Sequence, residues 1–319
     1  MAITKPTITK DEIIFITKNN DTSLRKFTVQ RILNTLEDSN IDELFIKSIT
    51  IVDAESADSQ VKAIAPNNGW FSVNYGLGMG KCIGMLIDGQ IMDYVFYNLD
   101  LFYNLQNPSI AVDSPKVYQY VIDHELGHSK DHRIREAFEA PELWPGNAIE
   151  DIAFILPNVF AHSLYKIKGE FTACYHSAYA ASQELIEVQE FELVSTFNSH
   201  LNNIKESKKY INTPQGRMNL NYDVANLCTD LLVSYAKLSA YRLGNESLKG
   251  IEFEFAYSFP RPIYYLFETF EKLLADNIPL YPNFPAEFDA EIIKCIRNVA
   301  AVYGYIFTVS PEGDYVYFT

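Results

Sequence analysis

The sequence predicts an α+β protein, with a mixed α/β lobe over residues 1–132 that ends in a helix and a mainly helical lobe over residues 133–319. Two periodicities predict it. Short β-rich runs crowd the first hundred residues, whereas from Val117 onward apolar residues recur every three or four positions. The third observation is composition: 48% of residues are apolar and 21% charged, which supplies a core and excludes disorder.

In chain order, Glu12–Thr17 (EIIFIT) is a β-rich run closed by Asn19, Asn20 and Asp21. Thr28–Leu36 has Val29, Ile32, Leu33 and Leu36 at helical spacing, and Phe45–Val52 alternates as a half-buried strand. Trp70–Tyr75 and Cys82–Asp88 are strand candidates around the glycine-rich GLGMG, and Ile91–Tyr97 follows the turn signal Asp88-Gly89. This is a β–α–β start followed by antiparallel strands. Val117–His132 is then helical, as are Ala148–Leu156, Gln183–Lys205, Asn221–Leu238, Pro262–Leu274 and Pro285–Ile306, with Pro- or Gly-containing breaks between them. Pro157 is expected to end or kink its helix, and Tyr315–Phe318 to form a closing strand. No internal repeat or long linker interrupts the chain.

Lys plus Arg number 26 against 41 Asp plus Glu, a formal net charge of −15. Phosphate backbones and anionic headgroups repel such a chain, so general nucleic-acid binding and membrane docking are not expected. The N-terminal MAITKPTITK has no apolar run of signal-peptide length, and no window is long and apolar enough to span a bilayer. Cys82, Cys174, Cys228 and Cys295 lie far apart, unlike a zinc ribbon or a dense disulfide scaffold. A reducing setting follows, a cytoplasm or a particle assembled in one.

The segment that carries chemistry is His124-Glu125-Leu126-Gly127-His128, an H-E-x-x-H. Two histidines four apart on a helix are about 40° apart around the axis and about 6 Å along it, so both imidazoles reach one ion. Glu125 follows the first histidine directly and points to the flank of that ion, where it can take a proton from a bound water. Composition alone would produce such a motif by chance in roughly 1% of chains of this kind. Val121, Ile122, Gly127 and Ser129 are flanks that zinc peptidase helices favour; Lys130, where an apolar residue is usual, departs from them.

HELGH resembles the zincin zinc metallopeptidases. The resemblance covers about 45 residues and is strong over five. The metzincin branch would have glycine three positions and histidine six positions after His128; here these are Asp131 and Ile134, which excludes it. The gluzincin branch draws its third ligand, a glutamate, from a later helix, and Glu150 in N-A-I-E-D-I-A-F is placed for that role. The stretch from Pro141-Glu142-Leu143-Trp144 to Asp151 also resembles, loosely, metallopeptidases of bacteria and phages, by which Asp151 would be the ligand. On a helix starting at Ala148, Glu150 borders the apolar stripe of Ile149, Ile152, Ala153 and Leu156, while Asp151 lies nearly opposite. Position therefore favours Glu150 as ligand and leaves Asp151 to orient a histidine or face solvent. His132 continues the 124/128 stripe, but eight residues span about 12 Å of axis, too far for a third ligand to the same ion. It reads as a surface or helix-end residue.

The resemblance implies a zincin-like fold, a Zn2+ cofactor held by His124, His128 and Glu150, Glu125 as general base, and peptide or protein substrates. It also implies an edge strand that pairs with extended substrate, Cys82–Asp88 or Ile91–Tyr97, and an oxyanion-stabilising group, for which His162, His176, His200, Tyr175 and Tyr179 are candidates. Gly76 to Lys81 is not a phosphate loop, because Tyr75 and Cys82 replace its required glycine and hydroxyl residue. The expected function is a zinc-dependent peptidase inside the cell. The alternative is a non-catalytic zincin-fold component of a virion or other assembly, with a protein partner; a purely structural site has no need of Glu125.

Overall fold

The computed structural model describes residues 12–39, 46–65, 79–88, 90–111, 113–138, 155–251, 253, 258–280, 284–310 and 313–318. They form a mixed α+β chain that divides into two compact units, residues 1–139 with 172–182, and residues 140–171 with 183–319. The strand expected at Trp70–Tyr75 and most of the helix expected at Ala148–Leu156 lie outside the described residues.

In the first unit, β1 (Ile13–Ile16) leads to α1 (Thr22–Ser39) and returns as β2 (Ile46–Val52). Asp21 starts α1: its side chain accepts from the backbone N–H of Ser23 and Leu24, at 2.7 and 3.2 Å. Helix α2 (Ala54–Ile64) follows, then the hairpin β3 (Gly80–Ile87) and β4 (Gln90–Asn98), turned at Asp88 with φ 52°. Asn98 caps α3 (Leu99–Gln106), and α4 (Pro115–Phe138) carries the HELGH motif. The strand order is β1-β2-β4-β3, with β1, β2 and β4 parallel and β3 antiparallel to β4. The β–α–β start and antiparallel hairpin read from the sequence are present; α2 and α3 are additions to it.

Alternation along the strands sorts this unit into layers. Phe96 of β4, Ile83 of β3 and Val52 of β2 form a core with Ala57, Val61 and Ala65, in and just beyond α2. The other face of the hairpin, with Asp93, Val95 and Tyr97 on β4 and Gly80, Cys82 and Gly84 on β3, is turned to α4. Tyr97 donates from its hydroxyl to the Ile122 carbonyl at 2.9 Å, fixing α4 over the sheet. Gln119 ties α4 to α1, accepting from Arg31 at 2.5 Å and donating to Thr35 at 3.0 Å.

The second unit is built on α6 (Gln183–Lys208) and α7 (Pro214–Gly244), with α8 (Arg261–Asn277), α9 (Ala286–Val302) and the hairpin β5 (Tyr305–Ser310) and β6 (Gly313–Phe318). Thr213 caps α7 by accepting from Gly216 N–H at 3.0 Å, with Pro214 in the first turn. Helix α9 stops earlier than its apolar spacing suggests, because Gly304 adopts φ 78° and turns the chain into β5. The ring of Tyr235 stacks on Phe267 at 4.2 Å. Helix α5 (Ile155–Ser177) runs through both units, its last turns belonging to the first. Pro157 lies within α5, which continues past it to Ser177, so it does not end this helix. Among the described residues no helix is long and apolar enough to cross a membrane.

Asp230 joins α5, α6 and α7, accepting from Lys166 at 2.5 Å and His200 at 2.9 Å. Burial alone would raise its pKa, but the His200 hydrogen bond and the Lys166 charge outweigh it and hold the carboxyl at about 2, below its ordinary 3.8. A folded pKa below the unfolded one contributes stability above about pH 4 that is lost as pH falls toward 2. Urea midpoints measured across that window should fall more steeply for the wild type than for Asp230→Asn; parallel pH profiles would refute this coupling.

Candidate metal centre

Helix α4 forms because residues 115–138 combine a proline at its start with apolar residues at helical spacing. Its face toward the sheet and α3 buries Val121, Ile122 and Leu126 at 4% exposure or less. His124 and His128 therefore fall on the flank of the buried stripe, half-buried, one turn apart. Their Nε2 atoms face each other at 3.1 Å. Two nitrogens bound tetrahedrally to one zinc at 2.0–2.1 Å would stand about 3.3–3.4 Å apart, so the rings are close to that spacing. Tyr120 Oη lies 3.0 Å from His124 Nδ1, and Cys174 Sγ 3.6 Å from the same atom. Were Nε2 to bind a cation, Nδ1 would carry the proton and Tyr120 Oη would stand in reach to accept it.

Glu125 is buried beneath β3, the edge strand of the described sheet. A Cβ on Gly80 would come within 2.5 Å of Glu125 Cγ, so only glycine lets the strand pass this close to the carboxylate. Of the two substrate-strand candidates, Cys82–Asp88 corresponds to this edge strand and Ile91–Tyr97 to β4, which is paired on both sides. Lys81 on the same strand feels the Glu125 charge; burial nonetheless draws its ammonium pKa below the ordinary value. The Tyr97 hydroxyl is pushed far up, first by burial and then by the charge of Glu125.

On the side away from β3, α4 meets the end of α5. A Cβ on Gly127 would stand 3.0 Å from the Ala173 carbonyl oxygen, so the two helix backbones are in close contact there. Cys174, the next residue, is the one beside His124. Two facing imidazoles are a donor pair that suits zinc, and one carboxylate would complete the set.

Glu150 and Asp151 lie outside the described residues. His132 corrects the surface or helix-end reading: it is 5% exposed, with Nδ1 2.7 Å from Asp93 Oδ1. Of the oxyanion candidates, Tyr179 donates to Asp123 at 2.8 Å, His200 pairs with Asp230, and the rings of Tyr175 and His176 contact each other. The side chain of His162 is outside the described set.

Comparison with protein-family models, curated proteins and solved structures finds no match for the chain.

The Gly127–Ala173 contact has a measurable cost of disturbance. Gly127→Val should destabilise the chain by about 1–3 kcal/mol, the range for overpacking a close contact. Urea unfolding reads the change, and an unaltered midpoint would show that the helices do not meet there.

Proposed function

We propose that the chain is a zinc-dependent peptidase in which His124, His128 and Glu150 hold the metal and Glu125 is the general base. The observation that carries the reading is the pair of Nε2 atoms facing at 3.1 Å, with a buried glutamate one residue along the helix. Zinc bound there would lower the pKa of a water and polarise a substrate carbonyl. Glu125, following the first histidine, accepts the proton of the attacking water and returns it to the departing amine. Gly80 keeps β3 against that carboxylate, and the outer edge of β3 offers backbone groups to an extended peptide. Tyr120 orients His124.

The ligand assignment is tested by zinc content. His124→Ala and His128→Ala should each abolish zinc binding at the motif, and Glu150→Ala should weaken it by more than the roughly 10–100-fold typical of a supporting residue. Asp151→Ala should change it less; the reverse order would transfer the ligand role to Asp151.

Glu125→Gln preserves shape but cannot accept a proton. The variant should retain zinc while cleavage of a peptide library falls by at least about 10²–10⁴-fold. Undiminished cleavage would remove Glu125 from the mechanism. Wild-type protein that holds zinc yet cleaves nothing would favour the non-catalytic assembly component.

A further inference from the structure

A second group of donors lies on the sheet-facing side of α4, inside the first unit. Cys82 on β3, Asp93 on β4 and His132 on α4 each offer a ligand atom within 4.8 Å of the other two. We propose that these three residues form a second metal site, for a zinc-like divalent cation, separate from the one on His124 and His128.

The strand register brings the donors together. Gly84 pairs with Asp93 and Cys82 with Val95, so Cys82 and Asp93 are diagonal neighbours on the face turned to α4. His132 drops onto that face over Gly84, where a Cβ would lie 3.0 Å from its Nδ1; glycine is what admits the ring. Asp93 is fully buried and its oxygens are directed by different groups, Oδ1 toward His132 Nδ1 at 2.7 Å and Oδ2 accepting from Ser129 Oγ at 2.6 Å. The Ser129 bond fixes the carboxylate plane, as supporting residues do around metal ligands.

Charge and donor type point the same way. A buried aspartate and histidine are a self-sufficient pair, and a thiol adds nothing to them. A thiolate, a carboxylate and a neutral imidazole carry two negative charges together, which one divalent ion neutralises in a region where unpaired charge is costly. The mixed sulfur, nitrogen and oxygen set suits zinc and not magnesium or calcium, which take oxygen. Binding requires the Asp93–His132 hydrogen bond to open by about half an ångström, since ligand atoms on a tetrahedral zinc stand about 3.3 Å apart. The site shares no ligand with the peptidase reading and does not depend on it.

Zinc analysis of the full chain tests this. Wild-type protein should bind about two zinc ions, the His124→Ala/His128→Ala variant about one, and that variant with Cys82→Ser none. Cobalt in the double variant should give a thiolate charge-transfer band that Cys82→Ser removes. A test without substitution uses Cys82 alkylation by iodoacetamide, because Cys82 is half-exposed whereas Cys174, Cys228 and Cys295 are buried. Saturating zinc should slow Cys82 modification at least tenfold in wild-type protein. One zinc in the wild type, none in the double variant, and an alkylation rate indifferent to zinc would overturn the second site. Loss of zinc on Cys82→Ser alone with the two-histidine site intact would support it even if no peptide is ever cleaved.

Discussion

The close approach of backbone to α4 on two sides is the constraint on which the rest depends. Gly127 lets the end of α5 touch the helix at Ala173, and Gly80 lets β3 lie against Glu125. With side chains at either position, α4 would be held off by the width of a methyl group or more, and the imidazoles would face a gap. Interiors pack at crystal-like density and do not bridge such gaps by bending. The sheet enforces the geometry from below, through the Tyr97 hydroxyl on the Ile122 carbonyl. The placement of HELGH is therefore a product of three glycines, at 80, 84 and 127, as much as of its own residues.

That dependence explains what the sequence revealed and what it withheld. The motif, its helix and the β–α–β start followed by a hairpin are local: each depends on period, spacing or turn chemistry within a dozen residues. Helix α2 escaped notice because AESADSQVKAI has only Ala57 and Val61 buried on one side, too few apolar positions to stand out. His132 is different in kind. Its surroundings come from which residues lie opposite it across a strand register, and no window along the chain contains that pairing. The alternation Gly80, Cys82, Gly84 was visible as letters, but its meaning, small residues on the one strand face that meets α4, appears only once the hairpin register pairs Gly84 with Asp93.

An acidic chain that buries carboxylates must supply them with partners. Asp93, Asp123, Glu125 and Asp131 are all at 9% exposure or less, and three of the four are on α4 itself. Asp123 is met by Gln119 at 3.1 Å and Tyr179 at 2.8 Å, and Asp93 by Ser129 and His132. Such hydrogen bonds offset desolvation. Apolar side chains of the same volume would pack as well, so these carboxylates depend on their hydrogen bonds to be accommodated.

The two donor groups then divide one helix between them. His124 and His128 look toward α5, while Ser129 and His132 look toward the hairpin, and the rings of His128 and His132 are stacked with centroids 6.3 Å apart. A rotation of α4 about its axis that improved one group would degrade the other. The helix is pinned at both ends of this trade, by Ala173 against Gly127 on one side and by the Gly84 gap that receives His132 on the other. An ion at the hairpin site would lock the rotation of α4, and with it the direction in which His128 points. Such an ion would position His128 in the same sense that an outer carboxylate positions a ligand histidine.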